Sequence, residues 1–267
     1  MSVPTPDHRR HFGSDPTGYD RARPDYPARV YEILTSRCRL RPGTATLEIG
    51  PGTGLATRRL LALGADPLIA VEPDERLAAY LSEQLRAEGR SIDMHVQAFE
   101  DVALPPASVD LVVSATTFHW LDQRAALAKV GELLRPGGWL ANWWNIFGDP
   151  IGVDLFHEAT KRFMEPLGKP AANPDGHLPF PVDAESRLAD LRAAGVFDEI
   201  DHEIMPWQTR YTPNQVRALY STYPNVSGLP EPRRTEILDA LATVVENEFG
   251  GVVERTFYTS IYIARRA

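Results

Sequence analysis

Three glycines stand at alternate positions in TLEIGPGTGLA (46–56): Gly50, Gly52 and Gly54, with the acid Glu48 two residues before the first. A glycine turn directly after an apolar run lets backbone meet a ligand with no Cβ in the way, and such turns hold nucleotides. Two nucleotide cofactors suit it. The dinucleotide pattern spaces its glycines G-x-G-x-x-G and rests a pyrophosphate on the next helix. Here the third glycine comes one residue early, and Leu55 stands where that pattern has its last glycine. Glu48 would oppose a phosphate and favour a cationic ligand. Glu72 ends a second apolar run, and His119, the titratable group nearest neutrality, follows a later one.

Elements that could position these residues run from about 43 to 145. Thr44–Ile49 reads as a buried strand and the residues from Gly54 as the helix after it. Residues 67–72 form a second strand. Asp74 caps the next helix, with Leu77, Leu81 and Leu85 on one face and Gly89 at its end. IDMHVQA alternates as a third strand, and VDLVVSA (109–115) is the continuous apolar run of a strand covered on both faces. Asp122 opens a helix with Leu127, Val130 and Leu134 as its stripe, RPGG stops it, and WLANWW is a fifth strand. This alternation predicts a doubly wound α/β sheet. Residues 145–183 are rich in Pro, Gly and aromatics, with one helix near 155–164, and suit a cover. A helix over 186–194 and a strand over 202–211 follow. Thr212, Pro213 and Gln215 announce a further helix start. A helix over 231–249 and a closing strand, RTFYTSIYIA, complete the chain. It reads as one domain over 1–267, with residues 1–14 expected to be flexible.

Composition narrows the function. The 267-residue chain is 43% hydrophobic and 24% charged, an ordinary globular balance. Its net charge of −8 disfavours a nucleic-acid partner and favours a small molecule. There is no apolar run of membrane-spanning length, and MSVPTPDHRRHFGSD lacks the apolar core of a secretory signal. Cys38 is the single cysteine, so no internal disulfide can form, and a cytoplasmic setting is expected. No Asp/His set suggests a metal. His157 and His177 read as surface histidines.

E-x-G-x-G-x-G after the first strand, an acid ending the second, FHWLD beyond the fourth and LLRPGGWL before the fifth resemble the class I S-adenosylmethionine-dependent methyltransferases. The resemblance covers about 15–145, the cofactor-binding core, and the strands that end the sheet. YDRARPDYP (19–27), HWLD, FGG and YIARR are similar to the bacterial small-molecule branch related to trans-aconitate methyltransferases. The resemblance implies a seven-stranded, mostly parallel sheet of order 3-2-1-4-5-7-6 with the last strand antiparallel, helices on both faces, and cover elements at 146–183 and 211–250.

It also implies site roles. Gly50, Pro51, Gly52, Thr53 and Gly54 bring backbone to the methionyl part of the cofactor, with Glu48 near its amino group. Glu72, followed by Pro73, accepts hydrogen bonds from both ribose hydroxyls, as a carboxylate can. Relatives carry an aspartate after the third strand for the adenine amino group; here Ala98, Phe99 and Glu100 occupy that place and are expected to edge the ring. Ser114, Ala115 and Thr116 are expected to line the cofactor through backbone. Tyr19, Arg23 and Tyr26 belong to an N-terminal segment that folds across it. Arg23 has three readings: a partner of the methionyl carboxylate, a partner of an acidic substrate, or a surface arginine.

A sulfonium methyl is already activated, so aligning acceptor and sulfur supplies much of the catalysis, and a base is needed only for an acceptor that holds its proton tightly. His119 is the candidate base. Its alternative is a packing element with Trp120 over the cofactor. Trp120, Trp144 and Tyr223, with His119, are expected on the substrate side. No Asn/Asp-Pro-Pro-aromatic element follows the fourth strand, so oxygen, nitrogen and carbon acceptors of a small metabolite all stand. Three rivals remain: a protein that binds the cofactor without methyl transfer, an RNA methyltransferase, and an NAD-dependent oxidoreductase.

Overall fold

The computed structural model describes residues 13, 15–148, 153–168 and 179–267. His177 and most of the expected flexible N-terminus lie outside the described residues.

From Asp15 onward the described residues form two helices, α1 (Pro16–Ala22) and α2 (Ala28–Ser36), and then alternate. Strand β1 (Thr44–Ile49) leads through the glycine turn into α3 (Leu55–Ala62), and β2 (Ala65–Val71) into α4 (Glu75–Ala87). A three-residue β3 (Asp93–His95) precedes β4 (Val109–Ala115), α5 (Gln123–Leu133) and a long β5 (Leu134–Ile146). Helices α6 (Leu155–Met164) and α7 (Ala184–Ala193) come before β6 (Phe197–Tyr211). After α8 (Pro213–Ser221), α9 (Pro224–Ser227) and α10 (Glu231–Glu248), β7 (Val253–Arg266) closes the sheet. Local chemistry explains the starts: Asp74, Asp122, Asp154 and Asp183 each accept a backbone N–H of the first turn, and Thr212 with Gln215 forms a complete capping box.

The sheet order is β3-β2-β1-β4-β5-β7-β6. The first five strands are parallel, and β7 runs antiparallel to both β5 and β6. Both expected features of the sheet are present. Alternation along each strand divides the core. Val112, Leu140, Tyr262 and Ala264 face one layer with α5 and α7, while Leu111, Val113, Ala141, Trp143, Ile261 and Ile263 face α2 and α3. A third cluster, Phe156, Val216, Leu219, Leu241, Val245 and Phe257 among others, joins α6, α8 and α10 to the start of β7.

Two sequence readings needed adjustment. RPGG does not separate α5 from β5: the strand begins at Leu134, because Leu134 already pairs with Val109. The expected third strand shortens to three residues, and Phe99–Asp101 becomes a 3-10 turn. Cys38 packs at 2% exposure just past α2, where burial pushes its thiol up to about 12.

Candidate active site

Order reverses between β1 and β4, and a cavity of about 630 Å³ opens there at the strands' carboxyl ends. One wall is the glycine turn. Gly50, Gly52 and Gly54 have φ of 67°, 58° and 91°, left-handed conformations that disfavour side chains. Their reasons differ. A Cβ at Gly50 would lie 2.3 Å from the Thr117 methyl, and one at Gly54 2.3 Å from Leu81 Cδ1, whereas one at Gly52 would meet no protein atom within 4 Å. Gly52 therefore faces open ligand space, and Gly54 serves packing against α4.

Glu72 joins this turn to the end of β2. It is buried, and its two oxygens accept the N–H groups of Gly52 (3.1 Å) and Asp74 (3.0 Å). Each oxygen keeps a lone pair for a further donor. Burial pushes the carboxyl up to about 7, against the two N–H groups that favour its ionised form. Glu48 lies behind Ile49 and Gly50, fully buried, with neither oxygen in a hydrogen bond of good geometry. Burial chiefly raises it to about 7; the nearby Thr57 hydroxyl offsets part of that, and Glu72 adds to it. An unpaired buried carboxylate is costly unless a donor or cation answers it.

The N-terminal segment closes one side. Asp20 of α1 pairs with Arg58 at 3.3 Å and accepts from the Tyr80 hydroxyl at 3.2 Å, tying α1 to α3 and α4. This brings Tyr19, Arg23 and Tyr26 to the cavity. Arg23 donates to the Thr222 hydroxyl and carbonyl and stacks over Tyr19, Phe147 and Tyr223 at 4.7–5.1 Å, with no carboxylate partner among the described residues. Tyr26 bonds the Thr116 hydroxyl at 3.0 Å. Thr116 has φ 58°, an uncommon state for a β-branched residue, and its N–H donates to the Trp143 carbonyl.

The opposite wall is aromatic. His119 and Trp120 sit on a 3-10 turn (Phe118–Trp120), which Gln123 holds by donating to the Phe118 and Leu121 carbonyls. The Trp144 indole N–H donates to His119 Nδ1 at 2.9 Å. Burial lowers His119 to about 4, with no charged neighbour contributing. Phe180 packs on Trp144 (5.5 Å between ring centres) and under the Arg187 guanidinium (3.8 Å), while the Tyr262 hydroxyl holds the Pro181 carbonyl. Asn145, Ile146, Phe147 and Asn225 complete this side.

Of the sequence-predicted residues, Tyr19, Arg23, Gly50, Pro51, Gly52, Thr53, Glu72, Pro73, Phe99, Ala115, Thr116, His119, Trp120 and Trp144 line the one cavity. Six others do not. Glu48 and Gly54 lie just behind the turn. Ser114 is fully buried and donates to the Ile49 carbonyl, a tie between strands. The 3-10 turn sends Phe99 inward, leaving Ala98 off the wall and Glu100 exposed, with Lys129 bonded to the Glu100 and Val102 carbonyls. Tyr223 stands one layer back, against Arg23 and Phe147. Phe180, Asn145 and Asn225 were missed as site residues; no motif marks them, and only their convergence reveals them. Among the described residues no group of three His, Cys, Asp or Glu side chains converges as a metal site, and no helix is long and apolar enough to cross a membrane.

Residues 47–142 match the family described as "Methyltransferase domain". An uncharacterized methyltransferase of Schizosaccharomyces pombe is 24% identical over 261 residues, covering 96% of this chain and 97% of that protein. An uncharacterized methyltransferase of Mycobacterium tuberculosis is 34% identical over 141 residues, 53% of this chain and 54% of that protein. A Haemonchus contortus phosphoethanolamine N-methyltransferase, solved with phosphomonomethylethanolamine and S-adenosylhomocysteine, superposes with a TM-score of 0.60 at 14% identity, over 97% of this chain and 58% of that one. That likeness shows the fold, a class I methyltransferase sheet. Domain match, relatives and fold together make this chain an S-adenosylmethionine-dependent methyltransferase.

Proposed function

We propose that the chain methylates a small-molecule acceptor in this cavity, with the described parts of 146–183 (146–148, 153–168 and 179–183) and residues 211–250 as its cover and substrate side. The observation that carries the reading is the continuity of one cavity from the glycine turn and Glu72 to the aromatic wall of His119, Trp144, Phe147 and Phe180. Its size falls within the roughly 300–1,000 Å³ common for small-molecule sites. The net charge of −8 also favours a small acceptor over a nucleic acid.

S-adenosylmethionine, when bound, supplies a methyl group already activated on a sulfonium. The residues present fit that cofactor. Glu72 has two free lone pairs for ribose hydroxyls, Gly52 leaves room for close backbone approach, and Phe99 offers a face to the adenine ring. Glu48, one layer behind the turn and outside the cavity lining, would favour a cationic group at the glycine turn through its charge. Arg23, a cation without a carboxylate partner among the described residues, receives an anionic group of cofactor or acceptor. The aromatic wall excludes water and holds the acceptor in line, so proximity supplies most of the rate. The relation to trans-aconitate methyltransferases, and with it a carboxylated acceptor, stays part of this proposal and rests on the YDRARPDYP and HWLD motifs.

Calorimetry with S-adenosylhomocysteine, with NAD as the parallel ligand, tests the cofactor half. Micromolar or tighter binding of the first and none of the second is expected. Binding of NAD alone would overturn the reading.

A further inference from the structure

We propose that Trp144 holds His119 as a fixed hydrogen-bond donor, so that His119 orients the methyl acceptor through Nε2–H and takes no proton from it. This deepens the proposed function and rests on it.

An indole N–H can only donate, so its 2.9 Å bond to Nδ1 requires that Nδ1 be unprotonated. A neutral imidazole then carries its single proton on Nε2. Three rings pack against His119: Trp120 at 4.7 Å, Phe180 at 6.1 Å and Trp144 at 6.4 Å between ring centres. None of them titrates, and burial without a charged neighbour keeps the imidazole neutral. The lone pair that could take a proton is thus occupied by Trp144, and the other nitrogen already bears its hydrogen. Freeing Nδ1 would strand an indole N–H on a side chain only 3% exposed.

No other described residue on this side replaces it as base. The Tyr26 hydroxyl is raised by burial beyond its ordinary range and is bonded to Thr116. Asn145 and Asn225 do not titrate, Arg23 is a cation, and Glu72 stands on the opposite wall, beside the glycine turn. The acceptor class follows: an atom that already holds a free lone pair at neutral pH, next to an oxygen or nitrogen that can accept from Nε2–H. In transfer, the acceptor's lone pair forms the new bond to the methyl carbon, the pair of the broken carbon–sulfur bond stays on sulfur, and His119 keeps its proton throughout. Trp144 is a positioning residue in this scheme.

The test is long-range 1H–15N correlation spectroscopy on protein labelled in its histidine rings, free and with S-adenosylhomocysteine, from pH 5 to 9. His119→Gln identifies the His119 signals by their loss. Nδ1 unprotonated and Nε2 protonated across the whole range is expected. In Trp144→Phe, both nitrogens should move toward averaged shifts as the second tautomer becomes populated. Wild-type protein with the proton on Nδ1, or a His119 titration near pH 6.5, would overturn the proposal. The wild-type spectra decide even if the variant does not fold. Absence of S-adenosylhomocysteine binding would sink the proposed function while leaving the tautomer readable in the free protein.

Discussion

The glycine wall draws on neighbouring strand ends, residues 49–56 after β1 and 71–73 after β2, and it is tied by hydrogen bonds such as Gly52 N–H to Glu72. The aromatic wall instead gathers Tyr26, His119, Trp144, Phe147, Phe180 and Asn225 from places scattered along the chain, held mainly by ring packing. The first wall presents backbone, the buried carboxyl of Glu72 and little freedom, with Glu48 behind it. The second presents rings that can change size and outline without disturbing the turn. Such a division lets one cofactor site serve different acceptors, since specificity can vary at Phe147, Phe180 and Asn225, which lie outside the sheet, while Trp144 anchors the wall to β5.

The comparison can be broken most severely at Gly50. Gly50→Ala should cost about 3 kcal/mol or more, combining a left-handed residue with overpacking against Thr117. Thermal unfolding would show a large drop in Tm, and a midpoint unchanged within error would mean the turn is not rigid. Glu72→Ala comes next. It should weaken S-adenosylhomocysteine binding by about 1.5–3 kcal/mol, the scale of hydrogen bonds to a charged group. It should also lower stability, because it strands the Gly52 and Asp74 N–H groups. Glu72→Gln, which keeps one acceptor oxygen, should fall between.

Gly52→Ala sharpens the contrast with Gly50. Its Cβ meets no protein atom, so only backbone strain of about 1–2 kcal/mol should reach stability, while cofactor affinity falls because the methyl enters ligand space. Equal losses of stability at Gly50 and Gly52 would contradict this division.

The pH dependence is smaller and has a defined sign. Glu48 and Glu72 both rise from an ordinary 4.5 to about 7. In the ligand-free protein their contribution to stability is therefore fully present below about pH 4.5 and is lost as pH climbs through about 7. Binding of the cationic cofactor favours the ionised forms, so its affinity should increase from pH 6 to 8 with release of protons. Calorimetry in two buffers of different ionisation enthalpy measures that release, and Glu48→Gln should reduce it. The smallest effect is expected on the other wall: Phe180→Ala should change S-adenosylhomocysteine affinity less than about twofold, because Phe180 packs on Trp144 and Arg187 on the aromatic side.

Much of the glycine wall was legible in the sequence because local rules govern it. Glycine spacing reports a turn, Asp74 and Asp122 report helix starts, and VDLVVSA reports a doubly covered strand. Expected and observed lining differ where one residue of rotation matters. Ala98, Phe99 and Glu100 are adjacent in sequence, and only the 3-10 turn decides that Phe99 alone faces the cavity. Ser114 reads as a cofactor neighbour by position, yet pleating points it at Ile49. The N-terminal segment was expected across the site, but its helix α1 and the Asp20 ties to Arg58 and Tyr80 depend on partners far along the chain.

What the sequence by itself determined was the order of strands and helices, a doubly wound sheet and the glycine turn, because hydrophobic period, capping residues and backbone freedom act within a few positions; the count of seven strands and their order came with the resemblance to class I methyltransferases. The tertiary structure alone decided how the aromatic wall closes, that neither oxygen of the buried Glu48 makes a well-formed hydrogen bond, and which nitrogen of His119 is engaged. Those outcomes depend on residues distant in the chain meeting at a few ångströms, where burial and direction of approach set proton positions and pKa values.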